Sequence, residues 1–363
     1  VSSGSVSKAL EMVFNGANGA SYSRSTDAPL YAAWSVPFAF KDLGVFSGAE
    51  GSVGIGVGDS NASTSGAASG LVVSWPAGSA IVNPSIGVDS KKGLHAAFAV
   101  KDSTGKASVY YTSCASGLAC GNASSWRAPV EIVDSFVNPK PWQWVLDTPL
   151  IQVLNDRVFV LFSDSSTKAS QRLDGIFLTQ CDQNCSNKNG WSEPVEIAPS
   201  KGFSTTPFFV AGDGVLHAAW QDWVNGKFDV FYARCASNCV KQSNWSVPLN
   251  VSGSPKLNSA HPALGVSAKG VLVAWEDGLD VFVRACVHPC APADFGVAFN
   301  ASANATPSLL PQVFYYDNGK AGVVWQDSEE PGVENIFVSL LSVQGPDVSL
   351  VEKGMASFDG NVS

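Results

Sequence analysis

The chain of 363 residues has little charge, few basic residues and no long apolar run. Only 15% of its residues are charged, and 31 Asp and Glu outnumber 22 Lys and Arg, which gives a net charge of −9. A nucleic-acid-binding protein needs a basic surface to meet phosphates, so this balance argues against that class. No run of 18 apolar residues occurs, so the sequence predicts no membrane insertion.

The common catalytic motifs are also missing. There is no Ser-His-Asp order, nucleophile elbow, phosphate-binding loop or run of metal ligands, and the four His residues are scattered. We therefore expect no cofactor and no metal ion. The chain is instead 45% hydrophobic, with 34 Gly and 20 Pro, which is typical of a folded protein rich in turns.

Cysteine occurs in four close pairs, and none is left over. An even number in tight local pairs predicts disulfides and an oxidising compartment. Zinc is the alternative, but it requires two pairs to converge, whereas each pair here ends its own sequence repeat. The pairs are Cys114 with Cys120, Cys181 with Cys185, Cys235 with Cys239, and Cys286 with Cys290.

Asn-x-Ser/Thr sequons are more frequent than chance predicts, which also favours an exported glycoprotein. Of the eight sequons, Asn304 and Asn361 are the weakest, because Pro307 follows the first and the second lies at the chain end. The alternative is that Ser-rich loops produce sequons by accident. The predicted glycosylation sites are Asn61, Asn122, Asn184, Asn244, Asn250 and Asn300.

One sequence unit recurs along most of the chain. Its clearest copy, over 206–251, contains four short β-branched and aromatic runs bounded by Gly, Asp, Asn or Ser, which predict four strands, A to D. Strand A opens on a residue-Pro step, and strand B ends on an apolar-x-Asp step such as Trp220-Gln221-Asp222. The predicted openings are Ala28-Pro29, Asn83-Pro84, Thr148-Pro149, Thr206-Pro207, His261-Pro262 and Thr306-Pro307.

Six units of four strands, with no helical periodicity, predict an all-β fold, a six-bladed β-propeller of four-stranded antiparallel blades. The first unit is divergent and lacks its outer strand in sequence order, so either Lys8–Phe14 or Asp347–Lys353 is expected to close the ring by pairing of the terminal segments. We expect one domain over 1–363. Its predicted blades span approximately 1–79, 80–135, 136–200, 201–254, 255–301 and 302–363.

From strand B to strand D the repeats resemble the sialidase-like propellers, the BNR or Asp-box superfamily. The best match is Trp220–Val251, with Asp229-Val230-Phe231-Tyr232-Ala233 followed by Trp245-Ser246-Val247-Pro248. The Asp box itself is degenerate, with Lys188 where the aspartate belongs. The resemblance implies the propeller fold.

A sialidase active site, as the resemblance implies, needs three convergent arginines that bind a carboxylate. The chain has six arginines, and several of them lie on outer strands or beside the Cys hairpins, so no triad can be assembled. The recurring aspartates at the ends of strands B indicate a structural role. The sequence thus favours a protein without catalysis.

Loops from D to A and from B to C share one face of a propeller, where pockets usually form. Aromatic side chains beside carboxylates and amides are suited to sugar binding, although these Trp residues could equally fill gaps between blades. The predicted ligand-binding residues are Trp142, Trp144, Asp147, Asp222, Trp223 and His261.

The sequence therefore predicts a secreted or cell-surface glycoprotein that acts in recognition or assembly, with a glycan or an extracellular protein as partner and possible self-assembly. Two alternatives stay open. One is a structural subunit of an extracellular filament or surface layer, and the other is a sialidase-like glycoside hydrolase, which requires two carboxylates that converge.

Overall fold

The computed structural model describes residues 10–16, 19–25, 38–39, 80–101, 106–120, 123–137, 149–166, 173–199, 203–254, 257–303, 306–317, 319–330 and 333–356. The structure of these residues is all-β, with only single-turn 3-10 helices between strands. No helix in the described part is long and apolar enough to cross a membrane. The strands expected for the first unit within 29–34, 52–59 and 71–75 lie outside the described residues.

The described residues form 23 strands. In chain order they are β1 (Leu10–Gly16), β2 (Gly19–Ser25), β3 (Phe38–Ala39), β4 (Ala80–Val88), β5 (Leu94–Lys101), β6 (Lys106–Cys114), β7 (Val130–Val137), β8 (Leu150–Leu154), β9 (Arg157–Ser166), β10 (Leu173–Cys181), β11 (Val195–Glu196), β12 (Ser204–Gly212), β13 (Val215–Val224), β14 (Lys227–Cys235), β15 (Leu249–Asn250), β16 (Ser259–Ser267), β17 (Gly270–Asp277), β18 (Asp280–Val287), β19 (Phe299–Asn300), β20 (Ser308–Asp317), β21 (Lys320–Glu330), β22 (Val333–Gln344) and β23 (Asp347–Ala356).

These strands form five four-stranded antiparallel sheets, β4–β7, β8–β11, β12–β15, β16–β19 and β20–β23, and one three-stranded sheet, β1–β3. In each sheet the strands pair in sequence order, as the repeat predicts. The four-stranded antiparallel repeat is therefore confirmed. A ring of six such blades is not: the described residues contain five four-stranded sheets.

The C-terminal strand does not complete the first unit. Strand β23 pairs with β22 over nearly its whole length, from Gln344 opposite Asp347 to Ile336 opposite Ala356, and is the fourth strand of the last sheet. Ring closure through Asp347–Lys353 is therefore wrong. This segment is the edge strand of the sheet β20–β23.

Contacts divide the chain into two compact units. Unit 1 comprises Val1–Val160 and Thr179–Pro194, and unit 2 comprises Leu161–Leu178 and Val195–Ser363. The sheets β1–β3 and β4–β7 lie in unit 1, and the sheets from β12 to β23 lie in unit 2. The boundary runs through the strands of the sheet β8–β11.

Within unit 2, the second strand of each sheet forms the core. Strand β17 is buried at every residue from Gly270 to Glu276, because it packs against neighbouring sheets on both faces. Each second strand contributes one fully buried Trp that stacks on a Phe of the third strand. These pairs are Trp220 with Phe231, Trp275 with Phe282, and Trp325 with Phe337, with ring centroids 6.3, 6.3 and 6.0 Å apart.

All four predicted disulfides are present, so that prediction is confirmed. Each one closes the hairpin after the third strand of a sheet. In three of the hairpins a following Trp donates its indole N–H to the carbonyl of the second Cys, over 2.9 Å in each case. Among the described residues no group of His, Cys, Asp and Glu is arranged to hold a metal ion.

Three of the predicted residue-Pro steps, Asn83-Pro84, Thr206-Pro207 and His261-Pro262, do not open the first strands but lie inside them, at a β-bulge, whereas Pro149 directly precedes β8. In β4, β12, β16 and β20 the register shifts across this step, and the residue before Pro has a positive φ. Proline is tolerated at a bulge because no ladder bond needs its missing N–H. The positive-φ residues are Asn83, Thr206, His261 and Leu310, with φ of 55°, 51°, 46° and 52°.

This register corrects the sixth predicted opening. The step equivalent to His261-Pro262 is Leu310-Pro311, not Thr306-Pro307, because the register of β20 shifts between Leu309 and Gln312. Thr306 instead precedes β20, and its hydroxyl contacts Asp327. The equivalence of residues between the last two sheets follows from this bulge.

His217 predicts a specific pH dependence of stability. Its side chain is fully buried, with Nδ1 2.7 Å from the hydroxyl of Tyr232. Burial, and secondarily the charge of His288, lowers the pKa of His217 to about 4. The unfolded chain, with an ordinary His pKa near 6.5, binds the proton more readily. The free energy of unfolding should therefore fall between about pH 6.5 and pH 4, by up to about 3 kcal/mol from this residue.

Urea unfolding of the wild type and of His217→Gln between pH 7.5 and pH 4 measures this effect. The Gln side chain does not titrate, so the stability difference between the two proteins should shrink as the pH falls. A difference that stays constant over this range would contradict the assignment.

Candidate functional site

A cluster of carboxylates lies in unit 2, where strands β13 and β17 end and β14 begins. Three of the six sequence-predicted ligand residues, Asp222, Trp223 and His261, lie at these strand ends. The other three, Trp142, Trp144 and Asp147, lie outside the described residues. Ligand binding by any of these residues stays a prediction.

Asp229, near the start of β14, is one of two interacting carboxylates in the cluster. The side chain is 8% exposed and forms an ion pair with Lys227. Its oxygens also accept hydrogen bonds from Nδ2 of Asn250, at 3.0 Å, and from the hydroxyl of Ser252, at 3.3 Å. This carboxylate is thus fixed by three donors on two segments of the same sheet.

Asp277, at the end of β17, is the second carboxylate. Its Oδ1 is buried without a hydrogen-bond partner among the described residues. Burial raises the pKa of Asp277, and the negative charge of Asp229 adds to the rise, while the Ser254 hydroxyl and Lys227 oppose it. The two carboxyl groups therefore interact electrostatically but have different surroundings, one paired with a cation and the other partly desolvated.

The next sheet shows why Asp277 differs. Its equivalent there, Asp327, accepts hydrogen bonds from the hydroxyls of Thr306, at 2.5 Å, and Ser308, at 3.1 Å. Counting back from the two bulges, the residue equivalent to Thr306 in the Asp277 sheet is Leu257, which has no hydroxyl. One substitution within the repeat therefore removes a hydrogen-bond donor from Asp277.

Neither Glu276 nor Asp229 was singled out from the sequence, and Asp277 was assigned a structural role with its equivalents. The residue four positions before the bulge could have identified Asp277. It is Thr306 in the sheet of Asp327 but Leu257 in the sheet of Asp277. The predicted opening at Thr306-Pro307 hides that signal, because it aligns Thr306 with His261 instead of with Leu257.

His261, at the bulge of β16, contacts a further carboxylate. Its Nδ1 lies 2.7 Å from Oε1 of Glu276, without the alignment of a hydrogen bond, and its ring is 31% exposed. The same Glu276 oxygen accepts a hydrogen bond from the backbone N–H of Leu310, at 2.6 Å, while Oε1 of Gln221 accepts one from the N–H of His261, at 3.2 Å. These side chains hold two successive bulges in their positive-φ conformation, which costs about 1–3 kcal/mol per residue.

An aromatic cluster lies beside the carboxylates. Trp223 is 43% exposed and meets the ring of Phe228 edge-on, with centroids 4.9 Å apart, and Phe203 packs on Phe228 at 5.8 Å. Trp223 and Phe228 are cross-strand partners, and so are their neighbours Asp222 and Asp229. Because side chains alternate along a strand, the aromatic pair and the carboxylates occupy opposite faces of the same strand ends. An exposed indole face can contact the apolar face of a sugar ring.

The sequons fall into two structural groups. Asn184 and Asn244 are exposed on the disulfide hairpins. The Asn250 and Asn300 side chains instead accept backbone hydrogen bonds from Gly253 and Ala303, in turns after β15 and β19. Asn61 and Asn122 lie outside the described residues. Glycosylation at all six sites stays a prediction.

Comparison with known proteins gives structural likeness only. No protein-family model matches the chain, and no curated protein matches it. A protein of unknown function from Dyadobacter fermentans DSM 18053 is similar at a TM-score of 0.50 with 12% identity, over 93% of this chain and 94% of that one. An α-L-arabinofuranosidase from Lactobacillus brevis is similar at 0.45 with 12% identity, over 72% and 90%. An α-L-arabinanase from Penicillium chrysogenum, complexed with arabinobiose, is similar at 0.45 with 13% identity, over 74% and 92%.

These comparisons correct the functional expectation. The similar structures of known activity are β-propeller glycoside hydrolases, so the predictions of a non-catalytic recognition or assembly protein, and of a chain that is not an enzyme, are contradicted. The alternative of a glycoside hydrolase is the better supported one. At such low identity the likeness shows the fold alone, so the chemistry must be argued from the residues of this chain.

The contrast between Thr306 and Leu257 makes a testable prediction about Asp277. Replacing Leu257 by Thr should supply the missing hydroxyl and lower the pKa of the Asp277 carboxyl, because a donor stabilises the charged form. Leu257→Val, which has nearly the same shape as Thr but no hydroxyl, is the matched control. Carboxyl ¹³C chemical shifts, followed through a pH titration, report the pKa in all three proteins. Equal pKa values for the Thr and Val variants would contradict the explanation.

Proposed function

We propose that this protein is a glycoside hydrolase whose acid–base pair is Asp277 and Asp229. The observation that carries the proposal is the pairing of a partly desolvated carboxyl group, with a raised pKa, and a second carboxylate held by Lys227. Two carboxyl groups whose surroundings set them apart in protonation are what glycoside hydrolysis requires.

The roles follow from these surroundings. Asp277, which burial keeps protonated to a higher pH, donates its proton to the glycosidic oxygen as the bond from the anomeric carbon to that oxygen breaks. The Asp229 side chain, held by Lys227, faces the positive charge that develops on the sugar ring. A water molecule then adds its hydroxyl to the anomeric carbon, and its proton restores the acid.

The imidazole of His261 is suited to hold a sugar hydroxyl. The exposed ring of Trp223, on the opposite strand face from the carboxylates, is suited to contact a sugar unit beyond the cleaved bond. A flat apolar face and a directional polar group at the same strand ends are the usual components of a carbohydrate site. The cluster contains no arginine among its described contacts, so it favours a neutral glycoside over a sialoside.

We also propose the blade number, the superfamily and the secretion that the sequence predicts. The repeats and the paired cysteines support a secreted, six-bladed propeller of the sialidase-like superfamily. The four disulfides fit an oxidising compartment.

Hydrolysis by the disulfide-bonded protein tests the proposal. The panel contains aryl α-L-arabinofuranosides, arabinan and β-1,4-xylosides, which correspond to the activities of the similar structures, together with a sialoside. Asp277→Asn should reduce kcat on the cleaved substrate by about 10²–10⁴-fold, because the general acid is lost. Release of reducing sugar measures the rate.

Asp327→Asn is the matched control, because it alters the equivalent aspartate in the next sheet and should leave kcat within about threefold. Leu257→Thr should move the alkaline limb of the pH–rate profile to lower pH, since it lowers the pKa of the acid. Absence of hydrolysis on the whole panel, or equal loss in the Asp277 and Asp327 variants, would contradict the proposed function.

A further inference from the structure

A polar cavity lies at the end of β14 opposite to the carboxylate cluster. Its volume is about 280 Å³, and it is lined by Arg234, Ala236, Ser237, Asn244, Trp245 and Ser246. Arg234 is five residues beyond Asp229 in the same strand, so the cavity lies about 17 Å from the carboxylate pair. It therefore does not belong to the proposed hydrolytic site.

Among the described residues that line the cavity, Arg234 is the only charged one, and its hydrogen bonding is incomplete. Nε is buried and has no hydrogen-bond partner among the described residues. A guanidinium has five N–H donors and cannot lose its charge in a protein, so an unpaired buried N–H carries a free-energy cost. An acceptor oxygen from the protein at Nε would remove that cost.

Other arginines in the described chain have such acceptors. Arg284, on the neighbouring β18, donates from Nε to the carbonyl of Gly296, at 2.6 Å, and from Nη1 to that of Val251, at 3.2 Å. Arg157 lies 3.6 Å from a carboxylate oxygen of Asp182. Arg234 thus differs from them in facing a cavity where they face a protein oxygen.

The charges around Arg234 favour an anion. None of the described residues that line the cavity is acidic. His217 lies opposite Arg234 in the strand pair, and the His288 ring lies 6.0 Å from that of His217. Although the chain has a net charge of −9, the side chains near Arg234 are therefore cationic or neutral, apart from Asp213, which lies 3.8 Å from His288. A bound anion would complete the local charge balance.

The lining residues also limit the chemistry and the size of the ligand. The hydroxyl of Ser246 accepts from the backbone N–H of Arg234 and keeps its own proton to donate. The amide nitrogen of Asn244 is occupied by the carbonyls of Ser237 and Asn238. Arg234 and the serine hydroxyl can therefore donate to one oxyanion, and the cavity volume suits a group no larger than a single acidic sugar.

We propose that the Arg234 cavity is an oxyanion-binding site that takes a carboxylate or sulfate group on a small molecule. The guanidinium forms paired N–H···O bonds with two ligand oxygens, and Ser246 donates a third. This site is independent of the proposed hydrolysis, because it shares no residue with the carboxylate cluster.

NMR of ¹⁵N-arginine-labelled protein tests the proposal directly. The chain has six arginines, so six Nε–H signals are expected, and the one missing in Arg234→Lys belongs to Arg234. Because Asn244 is a predicted glycosylation site, the protein is made in a host that adds no N-glycans. Titration with sodium glucuronate should shift the Arg234 signal in a saturable way, with millimolar affinity, while the other signals stay in place.

Variants and competing solutes separate the outcomes. Arg234→Lys lacks the Arg234 signal, so its affinity for glucuronate is compared with that of the wild type by isothermal titration calorimetry. The variant keeps the charge but not the planar fork and should bind at least fivefold more weakly. Arg157→Gln, which removes a guanidinium that already has a carboxylate partner, should bind as the wild type does. Titration with sodium sulfate distinguishes a sulfate from a carboxylate ligand. Sodium chloride at equal ionic strength and neutral glucose should leave the signal unmoved.

An Arg234 signal that does not respond to either oxyanion would overturn the proposal. So would a response to glucose or chloride of the same size, or equal affinity of the wild type and the Lys variant. Loss of hydrolysis in the Asp277 variant has no bearing on these shifts, so the two sites can fail separately.

Discussion

The burial of the second strand of each sheet between neighbouring sheets is the constraint on which unit 2 depends. Strand β17 is enclosed on both faces, and Trp275 stacks on Phe282 in the same way that Trp325 stacks on Phe337. A strand enclosed in this way cannot slip by one residue, because every side chain would exchange faces. The pairing register is therefore fixed. It also fixes the positions of the carboxylate side chains and of the bulged residues at the strand ends.

The carboxylate cluster is a local departure from an otherwise regular repeat. Asp327 has two hydroxyl partners, which is the arrangement of a structural side chain. In the sheet before it, Leu257 replaces the threonine, and Asp277 has a buried oxygen without a hydrogen bond. A buried polar atom of this kind costs free energy, and such a cost is found most often where a site has a function.

Strand β14 carries an acidic residue of one proposed site and a basic residue of the other. Near the start of β14, Asp229 is held by Lys227 and two neutral donors, and near its end Arg234 faces an open cavity. The rigid strand keeps these groups about 17 Å apart. The proposed hydrolysis at the Asp229 end of β14 therefore requires no rearrangement at the Arg234 end.

The sequence by itself determined the strand order of the five four-stranded sheets and the disulfides. These features depend on neighbours close in the chain: alternating β-branched and aromatic residues, turn residues between them, and cysteines four or six positions apart. The repeat then made sequential pairing of four strands the natural arrangement. The contacts of His95 and His217 are also local, because the Nδ1 of each ring lies 2.7 Å from a tyrosine hydroxyl of the adjacent strand.

Only the tertiary structure decided which residues meet across segments. It placed the bulge at Leu310-Pro311 where the sequence had indicated Thr306-Pro307, since a bulge is defined by pairing with the next strand and not by a proline alone. It brought Asp277 near Asp229, 48 positions away in the chain, and left Nε of Arg234 without a hydrogen-bond partner among the described residues. Desolvation and unmet hydrogen bonds arise from packing between sheets, and no pattern within one strand contains that information.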